Sequence, residues 1–161
     1  MDIVEPLSRL HLACSDNPYG ITFDLDWVGL HEPYLEDRIV RFSGGRKVYD
    51  RTNYDQCCAV SGTITVGGRT LAVTPETWVG VRDHSWGIRD HGRCPLWLWF
   101  QVQLPDGFLG AWHWEYPNGA RVYTDGCWAP TDGSDPVPLI DFHHAMEWVA
   151  ADGSPAVYGE H

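Results

Sequence analysis

Ile21, Phe23, Leu25 and Trp27 alternate with Thr22, Asp24 and Asp26, and no run of ten or more residues in the 161 shows helical spacing. A period of two marks a half-buried strand, because successive side chains leave opposite faces of the pleat. Alternation returns at 96–103, 109–116 and 121–128. It also predicts a long strand over 139–150, with Ile140, Phe142, His144, Met146 and Trp148 on one side and Asp141, His143, Ala145, Glu147 and Val149 on the other. Turn residues punctuate these runs: Asp16-Asn17-Pro18-Tyr19-Gly20, then Gly67-Gly68 in the two-residue hairpin pattern between 63–66 and 69–73. Residues 29–50, with Pro33, Gly44 and Gly45, read as a long loop or a strand pair interrupted around 39–42. The expected fold is all-β, an antiparallel lipocalin-like barrel or strongly curved sheet, as a single domain over residues 1–161. After a hairpin at Asp152-Gly153 the chain stops in mid-strand beyond Tyr158, so the domain reads as incomplete at its C-terminus and as one part of a two-domain protein.

The turn Leu104-Pro105-Asp106-Gly107-Phe108 sets the register of the hairpin that follows. A three-residue Pro-Asp-Gly loop puts Leu104 opposite Phe108, Phe100 opposite Trp112, Leu98 opposite Trp114, Trp99 opposite His113 and Trp97 opposite Glu115. One face is then apolar. The other joins Trp97, Trp99, Gln101, His113 and Glu115 into a wall suited to a ligand, and these are the expected ligand-binding residues. A two-residue loop would shift every pair by one position and separate them.

With 22 acidic and 11 basic side chains the formal charge is -11, and the basic residues are scattered. Nucleic acid and anionic membrane are therefore excluded as expected partners. No segment approaches the ~20 apolar residues that span a bilayer, so no membrane insertion is expected. The start, MDIVEPLSRL, lacks a basic leader region. Cys14, Cys57, Cys58, Cys94 and Cys127 are an odd set without C-x-x-C spacing, which suits a reduced, cytoplasmic protein. Cys57 and Cys58 should face opposite sides if they lie on a strand.

Polar chemistry is densest at 81–92, VRDHSWGIRDHG, which holds Arg82, Asp83, His84, Ser85, Trp86, Arg89, Asp90 and His91 between two apolar segments. It reads either as a connection pinned to a sheet by arginine–carboxylate pairs or as the polar floor of an apolar pocket. In a pocket, a carboxyl group such as Asp83 has its pKa raised and can deliver a proton, while the face of Trp86 stabilises a developing cation. That pairing suits proton addition to a carbon–carbon double bond, followed by water capture or cyclisation. Asp83, His84 and Trp86 are the expected catalytic residues. No metal is expected, because His84 and His91 are six residues of loop apart and His143 and His144 would leave a strand on opposite sides. Ser85 has no G-x-S-x-G elbow, and neither Gly44-Gly45 nor Gly67-Gly68 lies in a strand-to-helix turn, so no nucleophile, phosphate loop or cofactor is expected.

Asp83-His84-Ser85-Trp86-Gly87, followed by the Trp97 and Trp99 strand and the Leu104-Pro105-Asp106-Gly107 turn, resembles the carotenoid 1,2-hydratase and AttH-like superfamily, most clearly over 54–128. The resemblance implies a lipocalin-like pair of β domains in the complete protein, a hydrophobic cavity, and His84 and Trp86 at the site with Asp83 as partner. The hydratases carry a Tyr-x-Asp pair on the strand after the next turn, where this chain has Ala111 and His113. The cavity is thus implied more directly than the hydration.

These readings converge on a protein that binds an isoprenoid, steroid-like or aromatic molecule in a β-barrel cavity and acts on it by acid–base chemistry, as a hydratase, isomerase or cyclase. The alternative is a carrier or sensor of an apolar ligand without chemistry. The expected partners are that apolar small molecule and a homodimer mate or second β domain. The enzyme reading requires Asp83 and His84 to lie within a pocket rather than in open water.

Overall fold

The computed structural model describes residues 1–89, 96–116 and 118–146. Asp90, His91, Cys94 and the hairpin expected around Asp152-Gly153 lie outside the described residues. The fold is all-β and antiparallel, in two sheets of eight and four strands.

The larger sheet is built on β6 (Arg46–Val66), a strand of 21 residues. Along one edge it pairs in succession with β5 (Ile39–Ser43), β4 (Tyr34–Leu35) and β3 (Ile21–Gly29). Along the other it pairs with β8 (Val79–Arg89) and β7 (Arg69–Val73). Beyond β3 come β2 (Arg9–Cys14) and then β1 (Asp2–Glu5). The smaller sheet runs in the order β9 (Leu96–Leu104), β10 (Gly107–Glu115), β11 (Arg121–Pro130) and β12 (Val137–Pro138). Among the described residues no strand pairing joins the two sheets.

The alternation at 21–27 and the Gly67-Gly68 hairpin are both realised, the glycines accepting φ of 55° and 81°. Gly44-Gly45 makes a second hairpin of the same form, with Ser43 opposite Arg46.

Three expectations are corrected. The polar stretch is no connection: residues 79–89 are strand β8, paired with β6 throughout. Residues 139–146 pair with no strand and instead cross the outer face of the smaller sheet. Leu139 N–H donates to Gly126 O at 2.9 Å, Arg121 pairs with Asp141 at 2.6 Å, and the Phe142 ring lies 5.5 Å from Phe100 and 5.1 Å from His113.

The third correction concerns register. The β9–β10 loop has two residues, Pro105 and Asp106, so Leu104 faces Gly107, Trp99 faces Trp112 and Leu98 faces His113. Gly107 is the first residue of the strand, and Trp128 lies over it closely enough that a Cβ there would sit 2.3 Å from the indole. The expected wall therefore splits in two. Trp97, Trp99 and Gln101 share the inner face with Trp112 and Trp114, while His113 and Glu115 lie on the outer face.

Between the sheets the apolar core forms two clusters, Cys57, Phe108, Cys127 and Ala129 in one, and Ile39, Tyr49 and Trp114 in the other. Burying a side chain such as Phe108, 1% exposed, contributes about 1.5–3 kcal/mol. A third cluster, Leu25, Val60 and Val73, belongs to the larger sheet. On β6, the row between Tyr49 and Cys57 is Arg51, Asn53 and Asp55, each at most 4% exposed. The middle of the inter-sheet layer is polar.

Candidate functional site

Three carboxyl groups and one guanidinium meet in that layer. Arg51 of β6 pairs with Glu36, which stands beside β4, and both side chains are 1% exposed. Asn53 Nδ2 donates to the other Glu36 oxygen at 2.7 Å. The guanidinium also lies over the Trp112 and Trp114 rings, 4.7 and 5.8 Å from their centroids. Burial pushes the Glu36 carboxyl up to about 7 against the lowering influence of Arg51.

Tyr123 of β11 links two of the carboxyl groups. Its hydroxyl lies 3.1 Å from Glu36 and 3.0 Å from Asp125. One hydroxyl carries one proton and cannot serve two ionised carboxylates as donor. Asp125 is supplied by other donors, the Tyr34 hydroxyl at 2.7 Å and the backbone N–H groups of Asp37 and Gly126 at 2.8 and 2.6 Å. Glu36 likewise has donors of its own, Arg51 on one oxygen and Asn53 on the other, so the Tyr123 hydroxyl bridges two carboxyl groups that are each held by further donors.

Asp55 forms the second half of the layer. Its Oδ2 accepts Trp112 Nε1–H at 3.0 Å, Gln101 Nε2–H at 3.0 Å and Trp99 Nε1–H at 3.2 Å. Burial raises the Asp55 carboxyl, the indole bonds oppose that, and nearby Asp83 raises it further. Arg51 Nε, Asn53 Oδ1, Gln101 Oε1 and Trp114 Nε1 are buried here without a hydrogen-bond partner. Buried polar atoms of this kind ordinarily find a water or a ligand atom.

The seam between β8 and β9, the edge strands on the same side of the two sheets, runs past Asp55, which is itself buried. Across it the inner faces offer Val79, Val81, Asp83 and Ser85 from β8 and Trp97, Trp99, Gln101 and Gln103 from β9. Trp97 is 46% exposed and Trp99 41%, whereas Trp112 and Trp114 are buried. At one end of the seam a cleft of about 390 Å³ is lined by Leu30, Ala59, Val79, Gln103, Leu104 and Pro105, among others.

The expected catalytic group is not assembled. Asp83 shares the inner face with Asp55, its partner in register, while His84 and Trp86 point to the opposite face beside Tyr54. There His84 stacks on Tyr54 at 5.4 Å and lies 5.4 Å from Trp86, with the Arg82 guanidinium 5.1 Å from the Tyr54 ring. Asp83, His84 and Trp86 are all exposed. Alternation along β8 is the cause: adjacent residues of a strand cannot line one pocket.

On the outer face of the smaller sheet His113 and Glu115 do stay together, 3.2 Å apart, and His144 joins them at 3.0 Å from the same carboxylate oxygen. The expectation that His143 and His144 would diverge from a strand does not apply, since residues 139–146 are no strand. His143 turns to Asp141 at 3.0 Å.

Glu36, Arg51, Asn53, Asp55, Tyr123 and Asp125 went unnoticed in the sequence. Arg51-x-Asn53-x-Asp55 has a strand's period, but Thr52, Tyr54 and Gln56 between them are also polar, so no apolar face stood out.

No curated protein and no solved structure matches the chain. Residues 1–152 match the profile of a family of unknown function, DUF8625. Nearly the whole length is covered, and the chain belongs to that family.

Proposed function

We propose that the protein binds a small molecule with an apolar or aromatic body along the β8–β9 seam, its ring or chain against Trp97, Trp99 and the cleft beside Val79 and Leu104. The polar end meets Asp55. In fold terms this is a lipocalin-like container whose wall stays open along one side, and the likeness of the DHSWG segment to the carotenoid hydratases points the same way for the cavity. One observation carries the reading: the half-exposed indole of Trp99 donates to a buried carboxylate, so an apolar surface at the seam is joined directly to an ionisable group behind it. Clefts of a few hundred Å³ with few convergent polar groups are the usual form of small-molecule sites.

The chemistry available there is proton transfer, since burial raises both Asp55 and Glu36. Hydration, isomerisation or cyclisation of a bound alkene is the class of reaction it serves. The groups that carry it are then Asp55 and Glu36, in place of His84 and Trp86. The carrier reading is favoured by a different observation, the three N–H donors already held by one Asp55 oxygen.

The test uses N-phenyl-1-naphthylamine, a neutral aromatic probe whose fluorescence rises in apolar surroundings. Saturable binding is expected, weakened at least about tenfold in the Trp97→Ala/Trp99→Ala double variant. Val79→Arg, which fills the cleft, should weaken it as well. Unchanged affinity in both variants would place the probe elsewhere and remove the proposal.

A further inference from the structure

We propose that His113, Glu115 and His144 form a site for a divalent transition-metal ion of zinc type on the outer face of the smaller sheet, separate from the inter-sheet seam. Two imidazoles and a carboxylate are an established ligand set for zinc, with bonds of about 2.0–2.2 Å. Tetrahedral placement around such an ion sets ligand atoms roughly 3.4 Å apart. Here His113 Nε2 lies 3.2 Å and His144 Nε2 3.0 Å from Glu115 Oε2, and all three ligand atoms fall within 4.8 Å of one another. The remaining pair, His113 and His144, has its ligand atoms at most 4.8 Å apart and would draw toward that spacing on binding.

The surroundings fit a ligand cluster better than a chance surface contact. The three side chains are 5%, 13% and 21% exposed for His113, Glu115 and His144 respectively. His113 Nδ1 lies 2.8 Å from the hydroxyl of Thr124, which stands directly opposite it on β11. With the hydroxyl accepting Nδ1–H, the Nε2 lone pair is left free for the ion, and the hydroxyl is then the outer support that metal-bound histidines ordinarily have. Phe142 packs 5.1 Å from the His113 ring and 6.2 Å from that of His144, shielding one side of the group.

His144 arrives on a segment already fastened to the sheet by Arg121 to Asp141 and by Leu139 N–H to Gly126 O. Its Nδ1 receives a long contact from Met146 N–H, 3.4 Å, which ligation through Nε2 replaces by the opposite tautomer. With three protein donors, the ion keeps a fourth position for water or another ligand. Bound there, it would tie residues 139–146 to β10.

The test is zinc titration of chelator-treated, full-length protein by calorimetry, with cobalt as a spectroscopic substitute. Wild-type protein should bind one zinc ion at this site, raise its thermal midpoint on binding, and give the visible absorption of tetrahedral cobalt. His144→Ala and Glu115→Gln should each lower zinc affinity at least about a hundredfold. His143→Ala, next in sequence and turned away, should bind as wild type does. His144 lies at the surface, so its removal leaves the sheets intact, which circular dichroism would check. Wild-type protein that binds no zinc overturns the proposal, and so does a His144→Ala variant that binds zinc and cobalt as wild type does, since the ion then sits elsewhere.

Discussion

Replacing Arg51 by methionine should lower folding stability by about 3–5 kcal/mol at pH 8, and by visibly less at pH 5.5. Methionine keeps most of the apolar volume against Trp112 and Trp114, so what is lost is chiefly the charge. Glu36 then remains in the inter-sheet layer without its cation, and breaking a buried pair from one side leaves the other charge uncompensated. The pH dependence follows from the carboxyl. In the folded protein Glu36 is raised to about 7 from its usual 4.5, so the native state holds the proton more tightly than the unfolded chain does. Its contribution to stability is full below about 4.5 and is lost as the pH climbs through about 7. Removing Arg51 deletes the group that lowers Glu36, moving the folded value up and extending the loss to higher pH. Urea midpoints at the two pH values measure this directly. Equal shifts at both, or a shift below 1 kcal/mol, would show that the Arg51–Glu36 pair does not govern the layer. A domain of ordinary stability, about 5–15 kcal/mol, would lose a large part of it.

Gly87→Ala should be nearly as damaging, about 3 kcal/mol or more. Gly87 has φ of +129°, and a Cβ there would lie 1.9 Å from the carbonyl oxygen of Asp50 and 2.9 Å from its carbon. Neither atom belongs to a side chain that can swing away, so β8 would have to part from β6 beside Arg51, the register partner of Gly87. Gly20→Ala supplies the contrast: φ there is +69° with nothing within 4 Å, and the cost should stay near 1–2 kcal/mol, that of a left-handed residue. Thermal unfolding of the two variants separates a close backbone approach from conformational preference. Similar losses would mean that β6 does not crowd Gly87. The glycine that ends the DHSWG segment thus has a structural reason for its identity, independent of any ligand.

Strands whose buried side is apolar were legible in the sequence, and strands whose buried side is polar were not. Phe23, Leu25 and Trp27 disclosed β3, and the Gly67-Gly68 pair disclosed the turn into β7. The middle of β6 was hidden because Arg51, Asn53 and Asp55 face the interior through hydrogen bonds, a solution that apolar periodicity cannot register. β8 does not read as a strand in the sequence for a related reason: an edge strand with exposed Asp83, His84 and Trp86 offers no contrast between its faces. Conversely, residues 139–146 alternate without pairing, and Ile140, at an apolar position of the expected strand, is fully exposed. The hairpin register turned on whether Gly107 belongs to the loop or the strand, a choice that the turn residues themselves leave open. Trp97, Trp99 and Gln101 do share one face of β9, as their alternation in the sequence requires. Asp55, which accepts the Trp99 indole N–H, is not singled out by the sequence, because it reaches that indole only through tertiary packing.

The unusual length of β6 has a mechanical consequence for the larger sheet. Five other strands draw their ladder from this one ribbon, several of them along it end to end. Apart from the β1–β2–β3 ladder, every pairing of that sheet is made with this ribbon, so its detachment would leave β4, β5, β7 and β8 without a partner strand. Most of its contacts join distant parts of the chain, which makes the search for the assembled state slow by the standards of helical proteins.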